Sequence, residues 1–363
     1  MTTSGTFPGA RAAPRPHGLV VDGGLPPANS FALPEHKVVY ISVTKVACTS
    51  LRWMLADLAG EDPETFFAVN GHHLTRLMTV HDSRASWQRV RRLSHMSPEE
   101  VGQVSVDNGW FIFAMVRDPW SRLWSAWQSK LLTRHPAFVH RYADRRWFPR
   151  VPTKPEDVVE DFRRFVEAHP WTTNRELRKD SHFWNQVRSV RPDGLAYSGI
   201  YDISAMPRLV ADLHAHLAGL GLDTPELYMP RANETPLALT ADVLADGVAE
   251  RIEELYAPDF ERFGERWSRE GLRLAPSWSA DAIRAVGFQA QVNERLGDLA
   301  AHARAMNREI DRSRNALART RRRLEESEAA RTRLERTLPV RARRRLGGLR
   351  RRLRRLAGRA GRG

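Results

Sequence analysis

The sequence has 363 residues, of which 42% are hydrophobic and 28% are charged, so it is neither collagen-like nor wholly disordered. Its longest apolar run is seven residues, whereas a helix that crosses a bilayer needs about 20. The net charge is +14, and residues 293–363, with 23 arginines and 8 acidic residues, carry +15 of charge, so the rest of the chain is nearly neutral at −1.

Residues 1–35 are rich in proline and glycine and show little hydrophobic periodicity. This composition predicts a flexible leader that lacks the apolar segment of a signal peptide. The ordered part of the chain is expected to begin at residue 36. The single cysteine, Cys48, excludes an intramolecular disulfide and predicts a reducing compartment, which favours a cytoplasmic location.

Two strand–loop–helix units are predicted in the first half of the chain. Residues 37–43 are a β-branched run typical of a buried strand, and apolar residues follow at helical spacing over 51–58. Residues 110–116 predict a second buried strand. The helix after it is expected to begin with Asp118 as its N-cap and to run to about Leu131.

A third unit is predicted from a strand within 195–203 and a helix over 206–217. Repeated strand–helix units predict an α/β fold in which a parallel β-sheet is flanked by helices. The globular body that these units form is expected to span residues 36–270.

The C-terminal part of the chain is predicted to be a separate helical region. A linker over 271–288 leads to a heptad repeat over 289–338, which predicts a coiled coil and therefore a homo-oligomer. Pro339 is expected to end this helix, and residues 339–363 form an arginine-rich tail with leucines on one side. The leucines favour an anionic membrane surface, at the inner face of the membrane, over nucleic acid as the partner of the tail. A solvated disordered tail is the alternative.

The loop between the first strand and the first helix, residues 44–50, is made of groups that donate hydrogen bonds to an anion. Free backbone N–H groups and the positive end of the helix dipole meet there. Lys45 adds a full positive charge, and Thr49 and Ser50 add hydroxyls. The loop lacks the glycines of a Walker A motif. It is interpreted as an anion-binding loop, with an ordinary capped turn and a surface lysine as the alternative.

Arg117 directly follows the second strand, so it is expected at the edge of the sheet where α/β proteins bind ligands. Its planar guanidinium is suited to phosphate. Helical spacing places Arg122, Ser125 and Ser129 on the face opposite the tryptophan-rich core face, where Ser125 could reach the same anion. The alternative for Arg117 is a structural salt bridge.

The two motifs together resemble those of a known family. Residues 45–52 resemble the 5′-phosphosulfate loop of the Golgi-type carbohydrate sulfotransferases (sulfotransferase family 2), although Thr44 stands where the family usually has proline. Residues 117–127, with Lys130, resemble the 3′-phosphate motif of that family. The resemblance covers about 36–267. Its weaker matches are residues 180–186, 200–202 and 255–264 and Asn233.

This resemblance implies a P-loop-kinase-like core that binds 3′-phosphoadenosine-5′-phosphosulfate (PAPS). The enzyme would transfer the sulfuryl group to a hydroxyl of a carbohydrate or glycolipid acceptor without a metal. Arg117 and Ser125 would hold the 3′-phosphate, and Lys45 would also stabilise the leaving phosphate. The residues assigned to the 5′-phosphosulfate are Lys45, Val46, Ala47, Cys48, Thr49, Ser50 and Arg52.

The acceptor hydroxyl needs a general base. His72 and His73 are favoured because they follow the first helix and Gly71, which permits a sharp turn, and His182 is the next candidate. Two other functions stay open at this point. A nucleotide-dependent kinase would lack its Walker glycines and a carboxylate-based magnesium site. A scaffold that binds polyanions or membranes through the coiled coil and tail would carry an inactive body.

Overall fold

The computed structural model describes residues 29–67, 76–81, 87–231 and 235–360. The chain divides into two compact units, Met1–Asp298 and Leu299–Gly363. Within the described residues, no helix is both long and apolar enough to cross a membrane.

The first unit is built on a five-stranded sheet in the order β3-β1-β2-β4-β5. Strands β2, β4 and β5 run parallel, with Val38 opposite Phe111 and Phe113 opposite Gly199. Strand β1 is antiparallel to both β2 and β3. The strands are β1 (Ser30–Leu33), β2 (Val38–Ile41), β3 (Arg91–Arg92), β4 (Phe111–Val116) and β5 (Gly199–Asp202).

A helix follows each parallel strand, as the sequence predicts. The predicted α/β class, a mainly parallel sheet with helices, is therefore confirmed, and the coiled coil stays a prediction. The helix after β4 continues into a π-helical turn, Gln128–Leu132, which agrees with the predicted end near Leu131. The helices are α1 (Cys48–Leu58), α2 (Pro98–Gly102), α3 (Pro119–Trp127), α4 (Pro136–Tyr142), α5 (Pro155–Ala168), α6 (Pro170–Thr173), α7 (Gln186–Val190), α8 (Met206–Gly219), α9 (Ala241–Leu244), α10 (Val248–Leu255), α11 (Ala257–Phe263) and α12 (Ala280–Ala360).

The first unit has two large apolar clusters. One surrounds the sheet, where every residue of β2 and of β4 is buried. The other lies around α3, where Trp124 and Trp127 stack on each other and meet Phe162 of α5 edge to face. Helix α3 is buried on nearly all sides, because eight of its nine residues are buried.

The prediction that residues 1–35 are a leader is wrong at its C-terminal end. Ser30–Leu33 forms β1, and all four of its residues are buried. Strand β1 pairs with β2 over its whole length, so its backbone groups are bonded inside the sheet. Only four residues take part, and prolines lie on either side, so the periodicity that marks longer strands is absent.

The predicted linker, 271–288, is also corrected, because α12 begins inside it at Ala280. Ile283 and Val286 are buried in the cluster around α3. Glycine allows a close approach at Gly297, where an added Cβ would lie 3.0 Å from the Cβ of Pro136. The start of α12 is therefore part of the packed first unit.

Pro339 does not end the helix, which continues to Ala360. A proline inside a helix removes one backbone hydrogen bond and costs about 3 kcal/mol. The arginines, leucines and alanines on either side of it have high helix propensity and offset that cost along the segment.

Candidate functional site

The loop after β2 has an unusual backbone. Lys45 and Ala47, neither of which is glycine, have φ values of 66° and 48° in the left-handed region. Such conformations cost energy and concentrate at functional loops. Ala47 is the N-cap of α1, and within the described structure no side chain caps the helix there. The first N–H groups of α1 are thus left for another acceptor.

The loop residues singled out by sequence occupy successive positions at this helix start. Val46 is buried in the sheet core, so it can offer only its backbone to a ligand. The free thiol of Cys48 is half-buried at the first helical position. Ser50 lies in the first turn and donates through Oγ to the carbonyl of Pro230 at 2.8 Å.

Three cations lie around this loop. Lys45, Arg117 and Lys130 make no ion pair with an acidic side chain in the part of the chain that the structure describes. Burial, together with the charge of Lys130, lowers the pKa of Lys45 to about 8. Burial also lowers the pKa values of Lys130 and Arg117. Half-buried cations that lie close together are stabilised by an anion placed between them.

Arg117 is held at the end of β4 through its main chain. Its N–H donates to Oε1 of Gln186 at 3.0 Å, and Nε2 of Gln186 donates to its carbonyl at 2.8 Å. Gln186 is itself fixed, because its N–H donates to the carboxylate of Asp259 at 2.9 Å. These bonds leave the guanidinium of Arg117 available to a ligand.

Arg122 joins helix α3 to two other segments, the loop after β2 and residues 181–184. The sequence did not predict this role. Its Nε donates to the carbonyl of Thr44 at 3.0 Å, and its two terminal nitrogens donate to the carbonyls of Trp184 (2.7 Å) and Ser181 (3.3 Å). The expectation that Arg122 lies away from the core is wrong, because its side chain is fully buried. The second arginine of the motif over 117–127 was the available signal.

Ser125 is buried as well, and its Oγ accepts a hydrogen bond from Oγ1 of Thr235 at 3.1 Å. The segment that includes Pro230 and Thr235 therefore contacts both the first turn of α1, at Ser50, and the middle of α3. Ser50 and Ser125, which the sequence motifs assign to the same ligand, thus both contact this segment. Asn233, which belongs to a weaker family match, lies outside the described residues.

Arg52 differs from its predicted role in the donor site. Its guanidinium lies 4.8 Å from the ring centroid of Phe31, and its NH1 lies 2.6 Å from Nδ1 of His81. Because arginine can only donate, Nδ1 of His81 is the acceptor, and Nε2–H then faces Oγ1 of Thr49 at 2.8 Å. The guanidinium of Arg52 therefore joins α1 to Phe31 of β1 and to His81, and these contacts give it a structural role in place of the predicted one.

His182 is the histidine that the structure places beside the cations. Its Nδ1 lies 2.6 Å from Oδ1 of Asp180, so the carboxylate holds the proton on Nδ1 and leaves Nε2 as an acceptor. Burial and the charge of Lys130 lower the pKa of His182 to about 4. Burial raises the pKa of Asp180, but its bonds to His182 outweigh this and lower it overall. The imidazole is neutral at pH 7 and, with 26% of its side chain exposed, can accept a proton.

The other two predicted bases, His72 and His73, lie outside the described residues. Across the described ranges, no group of three or more histidine, cysteine or acidic side chains could hold a metal ion. What the geometry offers is a cluster of cations at a helix start, beside a neutral histidine whose orientation is fixed by a carboxylate.

Residues 29–264 match the family model described as "Sulfotransferase family". The match covers more than half of the chain and includes both predicted motifs as well as the His182–Asp180 pair. No curated protein and no solved structure matches the chain. The family predicted from the two motifs is confirmed.

Proposed function

Because the chain belongs to the sulfotransferase family, we propose that it transfers a sulfuryl group from PAPS to a hydroxyl of a carbohydrate or glycolipid acceptor. The observation that carries this proposal is the cluster of Lys45, Arg117 and Lys130, three half-buried cations whose pKa values are lowered and which an anionic ligand would stabilise. PAPS is such a polyanion. The carbohydrate class of the acceptor rests on the resemblance of the two motifs.

In this proposal the donor lies across the ends of β2 and β4. Lys45 and the N–H groups at the start of α1, including those of Cys48, Thr49 and Ser50, would hold the 5′-phosphosulfate. Arg117 would bind the 3′-phosphate through its guanidinium, with Ser125 beside it. Lys130 adds a third positive charge. The sequence motif includes this lysine, but the sequence alone did not assign it to the donor.

During transfer, the acceptor oxygen bonds to sulfur while the bond from sulfur to the bridging oxygen of the 5′-phosphate breaks. The electron pair stays on that bridging oxygen, where the ammonium of Lys45 stabilises it. The acceptor proton passes to Nε2 of His182, and Asp180 stabilises the imidazolium that forms. A pKa near 8 keeps most of Lys45 charged at pH 7.

We place His182 before His72 and His73 as the base because of its surroundings. It lies near enough to Lys45 and Lys130 for their charges to lower its pKa. Its orientation is fixed by Asp180 in the tautomer that a base requires. The roles of His72 and His73 stay predictions.

The test combines donor binding with transfer. Adenosine 3′,5′-bisphosphate at 100 times its Kd should stabilise the protein by about 2.7 kcal/mol, which raises Tm by roughly 5 °C. AMP should give a much smaller shift, since it offers Arg117 no 3′-phosphate. Transfer of ³⁵S from labelled PAPS to a panel of glycans and glycolipids then tests the reaction.

Arg117→Ala should remove the difference between the two nucleotides, while Arg208→Ala, an exposed arginine of α8, serves as the control and should keep it. Equal shifts from both nucleotides in the unaltered protein would refute the assignment of the 3′-phosphate site. Equal shifts together with no labelled product would favour the scaffold with an inactive body.

A further inference from the structure

The second unit carries an uncovered stripe of apolar side chains on α12. Leu299 is 65% exposed and Leu317 is 70% exposed, although leucine favours burial. Met306, Ile310, Leu324 and Leu334 are exposed in the same way. These residues occupy the a and d positions of one heptad repeat, so they share one face of the helix.

We propose that this stripe, residues 299–334, is the seam of a parallel, in-register, two-stranded coiled coil with a second copy of this chain. A straight α-helix repeats every 3.6 residues and would carry a strict heptad stripe slowly around its surface. The stripe keeps the heptad spacing over five heptads. That spacing suits a partner helix that supercoils with it, because both seams then stay in contact.

The charges beside the stripe specify a second copy in parallel register. In such a pair, each g position faces the e position five residues later on the other chain. Glu309 would face Arg314 of the second copy, and Arg323 would face Glu328. Two-fold symmetry doubles these to four opposite-charge pairs. Over residues 302–328 no g–e pair in this register sets like charges opposite each other.

The polar core positions favour two strands over three. Ser313, Thr320 and Ser327 are small polar residues at d, and Arg331 stands at a. In a two-stranded coil the seam is narrow, so the long side chain of Arg331 can place its guanidinium in water. In a coil of three or more strands the same position is enclosed on all sides.

The mass of the full-length chain in solution tests the proposal. Analytical ultracentrifugation should give about twice the chain mass of 41.4 kDa. Leu317→Asp places a charge in the seam and should give the mass of one chain. Ala318→Asp is the matched control, because position b faces solvent, and it should stay dimeric. A single-chain mass for the unaltered protein, a mass of three chains, or a dimeric Leu317→Asp variant would each overturn the proposal.

Disulfide formation tests the register separately. In a Cys48→Ser background, Ser313→Cys should join two chains rapidly under mild oxidation, because d positions meet across the seam. Asn315→Cys, at the outer f position, should not. Equal rates at the two positions would overturn the parallel register. A monomeric chain that binds anionic vesicles, and loses that binding in Leu317→Asp, would assign the stripe to lipid and likewise overturn the dimer.

Discussion

Lys45 and Lys130 sit in surroundings that oppose their own charges. Burial lowers the pKa of both, and the charge of Lys130 adds to this effect on Lys45, whereas Asp180 partly offsets it for Lys130. This arrangement is unfavourable in the free protein, and the proposed polyanionic donor would relieve it. Binding should therefore raise the pKa of Lys45, so that its proton is retained while charge develops on the leaving phosphate.

Lys45→Ala should lower kcat by about 10²–10³-fold, the size expected when one group that stabilises developing charge is removed. The affinity for adenosine 3′,5′-bisphosphate should fall much less, because Arg117 and the helix N–H groups remain. Steady-state kinetics and calorimetric titration measure the two quantities. Lys37→Ala, just before the opposite end of β2, is the control and should change neither. A larger loss in binding than in kcat would contradict the assigned role.

The pH dependence of kcat/KM distinguishes the candidate bases. With His182 as the base, deprotonation is complete above its pKa of about 4, so activity should be flat from pH 5 to 7. Activity should then fall as pH rises through about 8, because Lys45 loses its proton. A base with the ordinary histidine pKa of about 6.5, as expected for His72 or His73 if unperturbed, would instead lose activity below that pH.

Substitution checks the same assignment. His182→Ala should lower kcat by about 10²–10⁴-fold while bisphosphate binding is kept. His72→Ala and His73→Ala should stay active. Full activity of His182→Ala would return the role to one of those two residues.

At the scale of elements, the site depends on the parallel pairing of β2 with β4. Ile41 lies opposite Ala114, so the loops after both strands open at the same edge of the sheet. Helix α3 then brings Arg122 beneath the loop after β2, where one guanidinium bonds to Thr44, Ser181 and Trp184. The bonds of Arg122 thus connect the loop after β2 to the segment that carries His182.

At the scale of the whole molecule, charge is distributed unevenly along the chain. The positive charge is concentrated in residues 293–363, and the remainder of the chain is nearly neutral. Binding to a large anionic surface is therefore expected of the C-terminal segment and not of the sulfotransferase body. The leucines over 346–356 give that segment an apolar side as well as its charge.

We predict that the full chain co-sediments with anionic vesicles and much less with neutral ones. A chain ending at Thr337 should lose this binding. Replacing Leu346, Leu349, Leu353 and Leu356 with serine keeps every arginine, so it separates the apolar contribution from the charge and should weaken binding. Equal binding by the truncated chain, or none by the full chain, would show that the tail does not dock on membranes.

The sequence by itself determined the family, the α/β class and the position of the cationic loop between β2 and α1. Strands β2 and β4 are continuous apolar runs, and the two motifs lie directly after them, so local pattern carries the information. The charge of the tail is likewise visible in the sequence, because it follows from composition. The heptad stripe is visible because it depends on spacing along one helix.

Only the tertiary structure decided which side chains meet. Both Arg52 and Arg117 lie in the predicted motifs, yet the guanidinium of Arg52 packs on Phe31, while the main chain of Arg117 is bonded to Gln186 at the end of β4. The burial of Arg122 and the short β1 came from neighbours far along the chain. The physical reason is that burial and hydrogen bonding depend on contacts between distant segments, whereas periodicity and propensity report only on local ones.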